Sequence, residues 1–243
     1  MTAIAVVFLC ALVIGVPVAF ALGLSGAVYV VWEGLPIEVL ARRMYHVLDS
    51  FSLLAVPLFI LVGDLSERSG LLDGLLKWLQ ILVGRLRGGI AYVNVLASML
   101  FAGVSGAAVS DAASLGRVEI EMMRKSGYKL PFSAALTAAS SLVGPIIPPS
   151  IAMVIFALAA GNISIGGLFL AGAVPGFLLG AGFLAIAWWH TRGREPDQTE
   201  FVGFRVLAGV TLRVLPLLAL PVIIIGGILS GIFTVTELSL IHI

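Results

Sequence analysis

Apolar positions along this chain gather into long uninterrupted runs, and charged positions collect between them. Thr2–Trp32 carries no charge, and further uncharged runs lie at Ser50–Gly63, Gly88–Ser110, Leu130–Thr191 and Val214–Thr236. A helix of roughly 20 apolar residues crosses the hydrocarbon core of a bilayer. The pattern therefore predicts an all-α, polytopic integral membrane protein. The first run reads as one membrane helix with Pro17 part-way along, too long and too uncharged at its start for a secretory signal. Leu130–Thr191 is too long for one helix, and the break at Gly161–Gly167 divides it. Spans are expected at 165–190 and 206–236, with Trp188, Trp189 and His190 at an interface before the polar loop Arg192–Glu200. Leu71–Leu86 mixes Leu, Ile and Trp78 with Asp73, Lys77 and Arg85, as in an amphipathic helix lying at the membrane surface.

The basic residues orient these runs. Cytoplasmic loops carry an excess of Lys and Arg. The Gly161–Gly167 loop has none and is placed outside, which leaves Arg192, Arg194 and Arg205, and Arg117, Arg124, Lys125 and Lys129, in the cytoplasm. Arg85 and Arg87 also belong inside, yet only one uncharged run separates them from Arg117. A re-entrant hairpin over 88–127 satisfies both clusters.

Composition agrees with the pattern. The 243 residues are 60% hydrophobic and 11% charged, with a mean hydropathy of +1.14, against about 25% charged in a soluble domain. A net charge of +1 offers no reason to expect nucleic acid. The single cysteine, Cys10, excludes an internal disulfide framework, and His46, His190 and His242 are too scattered for a histidine metal cluster.

Two segments combine small residues, hydroxyls and helix breakers inside apolar runs. In Phe101–Asp111, Gly103 and Gly106 permit a tight non-helical turn. Irregular backbone at membrane depth is tolerated where protein buries it or where it lines a water-filled cavity. A hairpin tip here turns backbone carbonyls and the hydroxyls of Ser105 and Ser110 toward such a cavity; close packing through small residues is the alternative. In Ser140–Ser150, Pro145, Pro148 and Pro149 cannot donate to carbonyls four residues back, which leaves those of Ser141, Gly144 and Pro145 without helical donors. The helix over 130–160 must unwind near its middle. Its carbonyls then suit a hard cation such as sodium, and Ser150 can cap a new helix, Ile151–Ala160, whose positive end faces the same spot. This is the design of sodium-coupled carriers with discontinuous helices. Ser133, Thr137, Ser140 and Gly144 share one face upstream of the break, as a hydroxylated stripe or as packing.

Charged residues near these segments have plainer expectations. Asp111 is expected to cap the helix that follows it, and Glu119 and Glu121, among Arg117, Arg124 and Lys125, to be solvated. Gly103-Val104-Ser105-Gly106 also matches the pattern around the nucleophile of rhomboid-type intramembrane serine proteases. That chemistry needs a histidine base beside Ser105, and none of the three histidines lies at a suitable depth.

At these motifs the chain resembles a known family. Gly103–Gly106, Gly116-Arg-Val-Glu-Ile120 and Leu136–Ser150, with Gly15–Phe20, Val56–Phe59 and Phe169–Gly176, are similar to the large, DctM-like permease subunit of tripartite ATP-independent periplasmic (TRAP) transporters. The resemblance implies a sodium-coupled importer of organic acids such as C4-dicarboxylates or sialic acids in a bacterial inner membrane. It implies two partners, a periplasmic substrate-binding protein and a smaller four-helix membrane subunit, and no cofactor beside sodium as the coupling ion. It implies an elevator-type fold of two inverted repeats, of which 1–243 supplies the N-terminal half as one membrane domain with scaffold-like helices over 1–87. Sodium is then expected at Ser105, Gly106, Ser110, Ser141, Gly144 and Pro145, and substrate at Ser140, Pro148, Pro149 and Ser150. Ala107 and Ala108 stand where the family often has further hydroxyls, which shifts the weight onto carbonyl ligands. Another two-repeat ion or carboxylate transporter is the nearest alternative.

Overall fold

A computed structural model gives the fold and describes residues 2–49, 51–161, 163–194 and 204–231. Among these residues every regular element is helical. The chain divides into two compact units, Met1–Ser50 and Phe51–Ile243.

The first unit holds α1 (Thr2–Val13), α2 (Val18–Trp32) and α3 (Glu38–Leu48). The one long helix expected over Thr2–Trp32 is thus two. Gly15 takes φ +89°, and Pro17 stands at the start of α2 with extended backbone, where its missing N–H costs nothing. The two helices pack against each other.

The second unit continues with a 3-10 turn (Phe51–Leu54), α4 (Ala55–Arg68), α5 (Leu71–Val83), α6 (Gly89–Ser105), α7 (Ala108–Lys125), α8 (Leu130–Ser141), α9 (Ile151–Ala160), α10 (Ile165–Thr191) and α11 (Phe204–Leu229). Of these, α10 and α11 are long and apolar enough to cross a membrane. Leu170, Val174, Phe177 and Leu178 of α10 are exposed, as are Leu212, Leu215 and Val222 of α11. Exposed apolar faces of that kind mark surfaces that meet lipid or other protein. The span expected over 206–236 is helical to Leu229, and 232–236 lie outside the described residues, as do Asn162 of the outer loop, 195–200 of the polar loop and His242.

The amphipathic α5 does not offer its apolar stripe to a membrane surface. Leu72, Leu75, Leu76 and Leu79 are buried against Val93, Ala97 and Phe101 of α6 and Val214 and Leu217 of α11. Trp78 Nε1 donates to Thr211 Oγ1 at 3.0 Å. The i, i+3, i+4, i+7 spacing reports a stripe that must be covered and leaves open what covers it.

The helices α6 and α7 form a hairpin with both ends at one place. Gly88, before α6, lies against the Thr191 side chain at the end of α10. After α7, Arg194 donates to the carbonyls of Ser126 (2.7 Å) and Gly127 (3.1 Å) and stacks 4.1 Å over Tyr128. From this base α6 runs 17 residues to the tip, about 25 Å at 1.5 Å per residue.

Candidate ion and substrate site

The tip is a two-residue link. Gly106 closes α6 in the left-handed region at φ +60°, and Ala107 opens α7 with extended backbone. A side chain at position 106 would come within 2.8 Å of the Pro149 carbonyl and 3.3 Å of Ser150 Cα, so only glycine lets the tip approach this closely. The helix-break residues 142–150 separate α8 from α9 and meet the tip from the other side. The Ile151 N–H donates to the Gly106 carbonyl at 3.3 Å, and Gly144 lies against the Ala107–Ala108 peptide. Two segments far apart in sequence thus form one junction.

Glycines on α10 admit the break. Gly172 and Gly176 face Ile146 and Ile147, and Gly180 faces Met99 of α6, each closer than a Cβ would allow. The i, i+4, i+8 spacing puts all three on one face, the small-residue packing that lets membrane helices approach.

Several expected ligands meet at the junction. Ser105 is buried, with its hydroxyl 3.5 Å from the Ala107 N–H. Ser150 caps α9, accepting from the Met153 N–H at 3.3 Å, and it donates to the Pro145 carbonyl at 2.6 Å. The Ser141 carbonyl accepts the Gly144 N–H at 3.0 Å. Proline alone would leave the carbonyls of Ser141 and Pro145 orphaned, and in the structure neither is. A local turn and the capping serine supply what the helix could not, and each oxygen keeps a second lone pair. Pro148 and Pro149 stand beside the tip, the former through its carbonyl near Gly103 and the latter near Gly106.

Two expected residues do not join them. Ser110 is exposed, and its carbonyl accepts the Ser114 hydroxyl at 2.8 Å; the tip turn puts it on the face of α7 away from the break. Ser140 is fully buried and bonded to Ser98 (3.0 Å), Asn94 (3.3 Å) and the Thr137 carbonyl (3.1 Å). Its hydroxyl points into the seam between α6 and α8 and not into the break. The whole stripe follows it: Ser133 and Thr137 are buried, and Asn94 Nδ2 donates to Thr137 Oγ1 at 2.6 Å.

Two carboxylates depart from expectation. Asp111 does not cap α7, because Ala107 opens the helix one turn earlier. Asp111 is 1% exposed and Glu119 is fully buried, and no oxygen of either has a hydrogen-bond partner. Glu121 alone is solvated, paired with Lys125 at 2.9 Å. Asn94 and Ser98, which line this seam from α6, carried no sequence signal beyond being polar in an apolar run. His190 stacks on Phe132 at 3.9 Å, at the base of the hairpin and away from Ser105. Among the described residues no group of three His, Cys, Asp or Glu side chains is arranged to hold a metal.

The chain is similar to known proteins along most of its length. Residues 5–243 match the family described as tripartite ATP-independent periplasmic transporter, DctM component. The sialic acid TRAP transporter large permease protein SiaM of Vibrio cholerae is 40% identical over 228 residues, 92% of this chain and 52% of that protein. The 2,3-diketo-L-gulonate TRAP transporter large permease protein YiaN of Escherichia coli is 38% identical over 225 residues, 92% and 53%. YgiK of Salmonella typhimurium is 39% identical over 236 residues, 96% and 54%. The chain spans about half the length of these curated relatives.

Proposed function

This chain belongs to the DctM component family of tripartite ATP-independent periplasmic transporters, membrane proteins that are carriers and not enzymes, and from that premise we propose that it supplies half of a sodium-coupled transport site for organic acids. The observation that carries the reading is the junction of tip and break, where Gly106 meets Pro149, Ser150 and Ile151. Carbonyl oxygens of the break suit a hard monovalent cation, and the N-terminus of α9, capped by Ser150, suits a carboxylate. Sodium and substrate anion thus neutralise each other across one short gap, which is the physical basis of coupling.

The assigned roles follow the geometry. Ser105, Gly106, Gly144 and Pro145 border the sodium side; Pro148, Pro149 and Ser150 border the substrate side. The substrate class is a carboxylate, in keeping with relatives named for sialic acid and 2,3-diketo-L-gulonate. A periplasmic binding protein delivers it, a small membrane subunit packs beside the permease, and both membrane subunits span the bacterial inner membrane. The hairpin enters the bilayer from the cytoplasmic side, its base held by Arg194 and its tip about 25 Å deep.

The test is thermal stability of the purified chain against sodium, with potassium at equal ionic strength as control. A ligand that binds only the folded form raises stability by mass action. A sodium-specific rise that vanishes when Pro145, Pro148 and Pro149 are replaced by Ala supports the junction as the ion site. A rise that persists in that variant removes the junction from the account.

A further inference from the structure

At the base of the hairpin a groove of about 620 Å³ opens between α5 and α7, beside the first turn of α6. Two helices supply its charges. Asp73 and Lys77 lie one turn apart on α5, and Arg117, Glu121 and Lys125 follow at successive turns of α7. The i, i+4 spacing turns each set to one face. Lys125 is paired with Glu121 at 2.9 Å. Among the described residues neither Lys77 nor Arg117 joins an ion pair, and both are exposed. Three cations and two carboxylates thus line the groove and leave one positive charge in excess. The walls between the charges are apolar: Leu76 and Ile90 are buried, Met122 is half-buried and Val118 is exposed. Gln80 of α5 donates to Met122 Sδ of α7 and joins the two walls.

We propose that this groove seats the headgroup of an anionic phospholipid, with its phosphodiester between Lys77 and Arg117 and its glycerol against Val118 and Met122. A phosphodiester carries one negative charge, which balances the excess in the groove. The Arg117 guanidinium can hold two phosphate oxygens in parallel, and the Lys77 ammonium adds a point charge. The apolar walls give the glycerol and the first methylenes a surface to cover, for which free phosphate or an acidic peptide has no use. The location fits the same occupant. Arg117, Arg124, Lys125 and Lys129 mark the hairpin base as the cytoplasmic end, and basic pockets between membrane helices on that side take anionic headgroups. The choice of leaflet rests on the orientation proposed above; the charge and the walls of the groove do not. Because Lys77 belongs to α5 and Arg117 to α7, a bound lipid braces the base of the hairpin against α5.

The experiment titrates the whole purified chain, in neutral detergent and sodium-free potassium buffer, with dioleoylphosphatidylglycerol. Dioleoylphosphatidylcholine and inorganic phosphate are the comparisons, and native mass spectrometry and Tm are the readouts. One phosphatidylglycerol is expected to bind per chain, unmatched by phosphatidylcholine and not displaced by an equal concentration of phosphate. Lys77→Gln and Arg117→Gln are each expected to weaken binding about fivefold, and together roughly 25-fold. Glu121→Gln removes a carboxylate that repels the phosphate and frees Lys125, and is expected to tighten binding. Arg42→Gln with Arg43→Gln removes two charges from α3, outside the groove, and is expected to change nothing. Equal loss in that control, or equal binding of phosphatidylcholine, overturns the proposal in favour of general attraction to the surface. Displacement by inorganic phosphate overturns it in favour of a free-anion site, and wild-type binding in the Lys77→Gln, Arg117→Gln pair overturns it outright. Should that pair not fold, Glu121→Gln decides, since unchanged or weaker binding there also overturns it. No sodium is present, so the sodium reading can fail without touching this result, and loss of the lipid leaves the junction intact.

Discussion

The Ile151 N–H donates to the Gly106 carbonyl at 3.3 Å, and this bond joins the first residue of a restarted helix to the last residue of a hairpin arm. It gives an N–H that α9 cannot use internally to a carbonyl at the tip. The tip and the break thus complete each other's backbone bonding.

Gly106 is the position most sensitive to this arrangement. Gly106→Ala forces a Cβ into the left-handed region and within 2.8 Å of the Pro149 carbonyl, an expected cost of about 1–3 kcal/mol. Gly182→Ala, where a Cβ meets nothing within 4 Å on α10, is expected to be neutral or slightly stabilising. Thermal denaturation of the two variants side by side checks the contrast; equal losses would show that the tip tolerates a side chain.

Ser150 serves two backbone groups at once. Ser150→Ala removes the cap on Met153 N and the donor to Pro145 O, at about 1–2 kcal/mol. Ser150→Thr, which keeps the hydroxyl, is expected to retain most of it. Hydrogen exchange of the amides at 151–154 reads the effect locally: faster in Ser150→Ala, near wild type in Ser150→Thr.

Asn94 organises the polar seam through Thr137 and Ser140. Asn94→Leu strands both partners and is expected to cost about 1–3 kcal/mol, whereas removing the partners together is nearly neutral. Adding Thr137→Val and Ser140→Ala to Asn94→Leu should therefore recover stability. A coupling energy near zero in the corresponding mutant cycle would refute the seam as one network.

Arg194 holds the base of the hairpin. Its planar fork bonds the carbonyls of Ser126 and Gly127 while stacking on Tyr128, which an ammonium cannot reproduce. Arg194→Lys and Arg194→Ala are both expected to cost about 1–2 kcal/mol and to speed hydrogen exchange of residues 126–129. Wild-type exchange in Arg194→Lys would mean that charge alone suffices.

How far the sequence reaches can be seen residue by residue. Three prolines between 145 and 149 dictate an interruption on any scaffold, because a missing N–H is a covalent fact. Ser150 dictates a cap by the same local logic. The two clusters of basic residues flanking 88–116 imply a chain that returns, and Thr191 and Arg194 meet its two ends. The uncharged runs dictate helices and an apolar surrounding. Each of these consequences acts within a few residues of its cause, or through the bilayer, which treats every chain alike.

Other features turned on partners distant in sequence. Asp111 looked like a cap and Glu119 like a surface acid, since each has charged or polar neighbours in sequence. Both are buried because the tip turn at Gly106–Ala107 starts α7 early and rotates that face onto α8. Ser140 and Ser110 are polar residues beside a polar segment, yet one bonds into the seam and the other faces outward. The apolar stripe of α5 required a cover, and α6 and α11 provided it where a membrane surface could have done so. Local chemistry sets which backbone groups a segment can satisfy by itself. Rotation about a helix axis, and hence which side chains face one another, is set by long-range packing that no stretch of sequence contains.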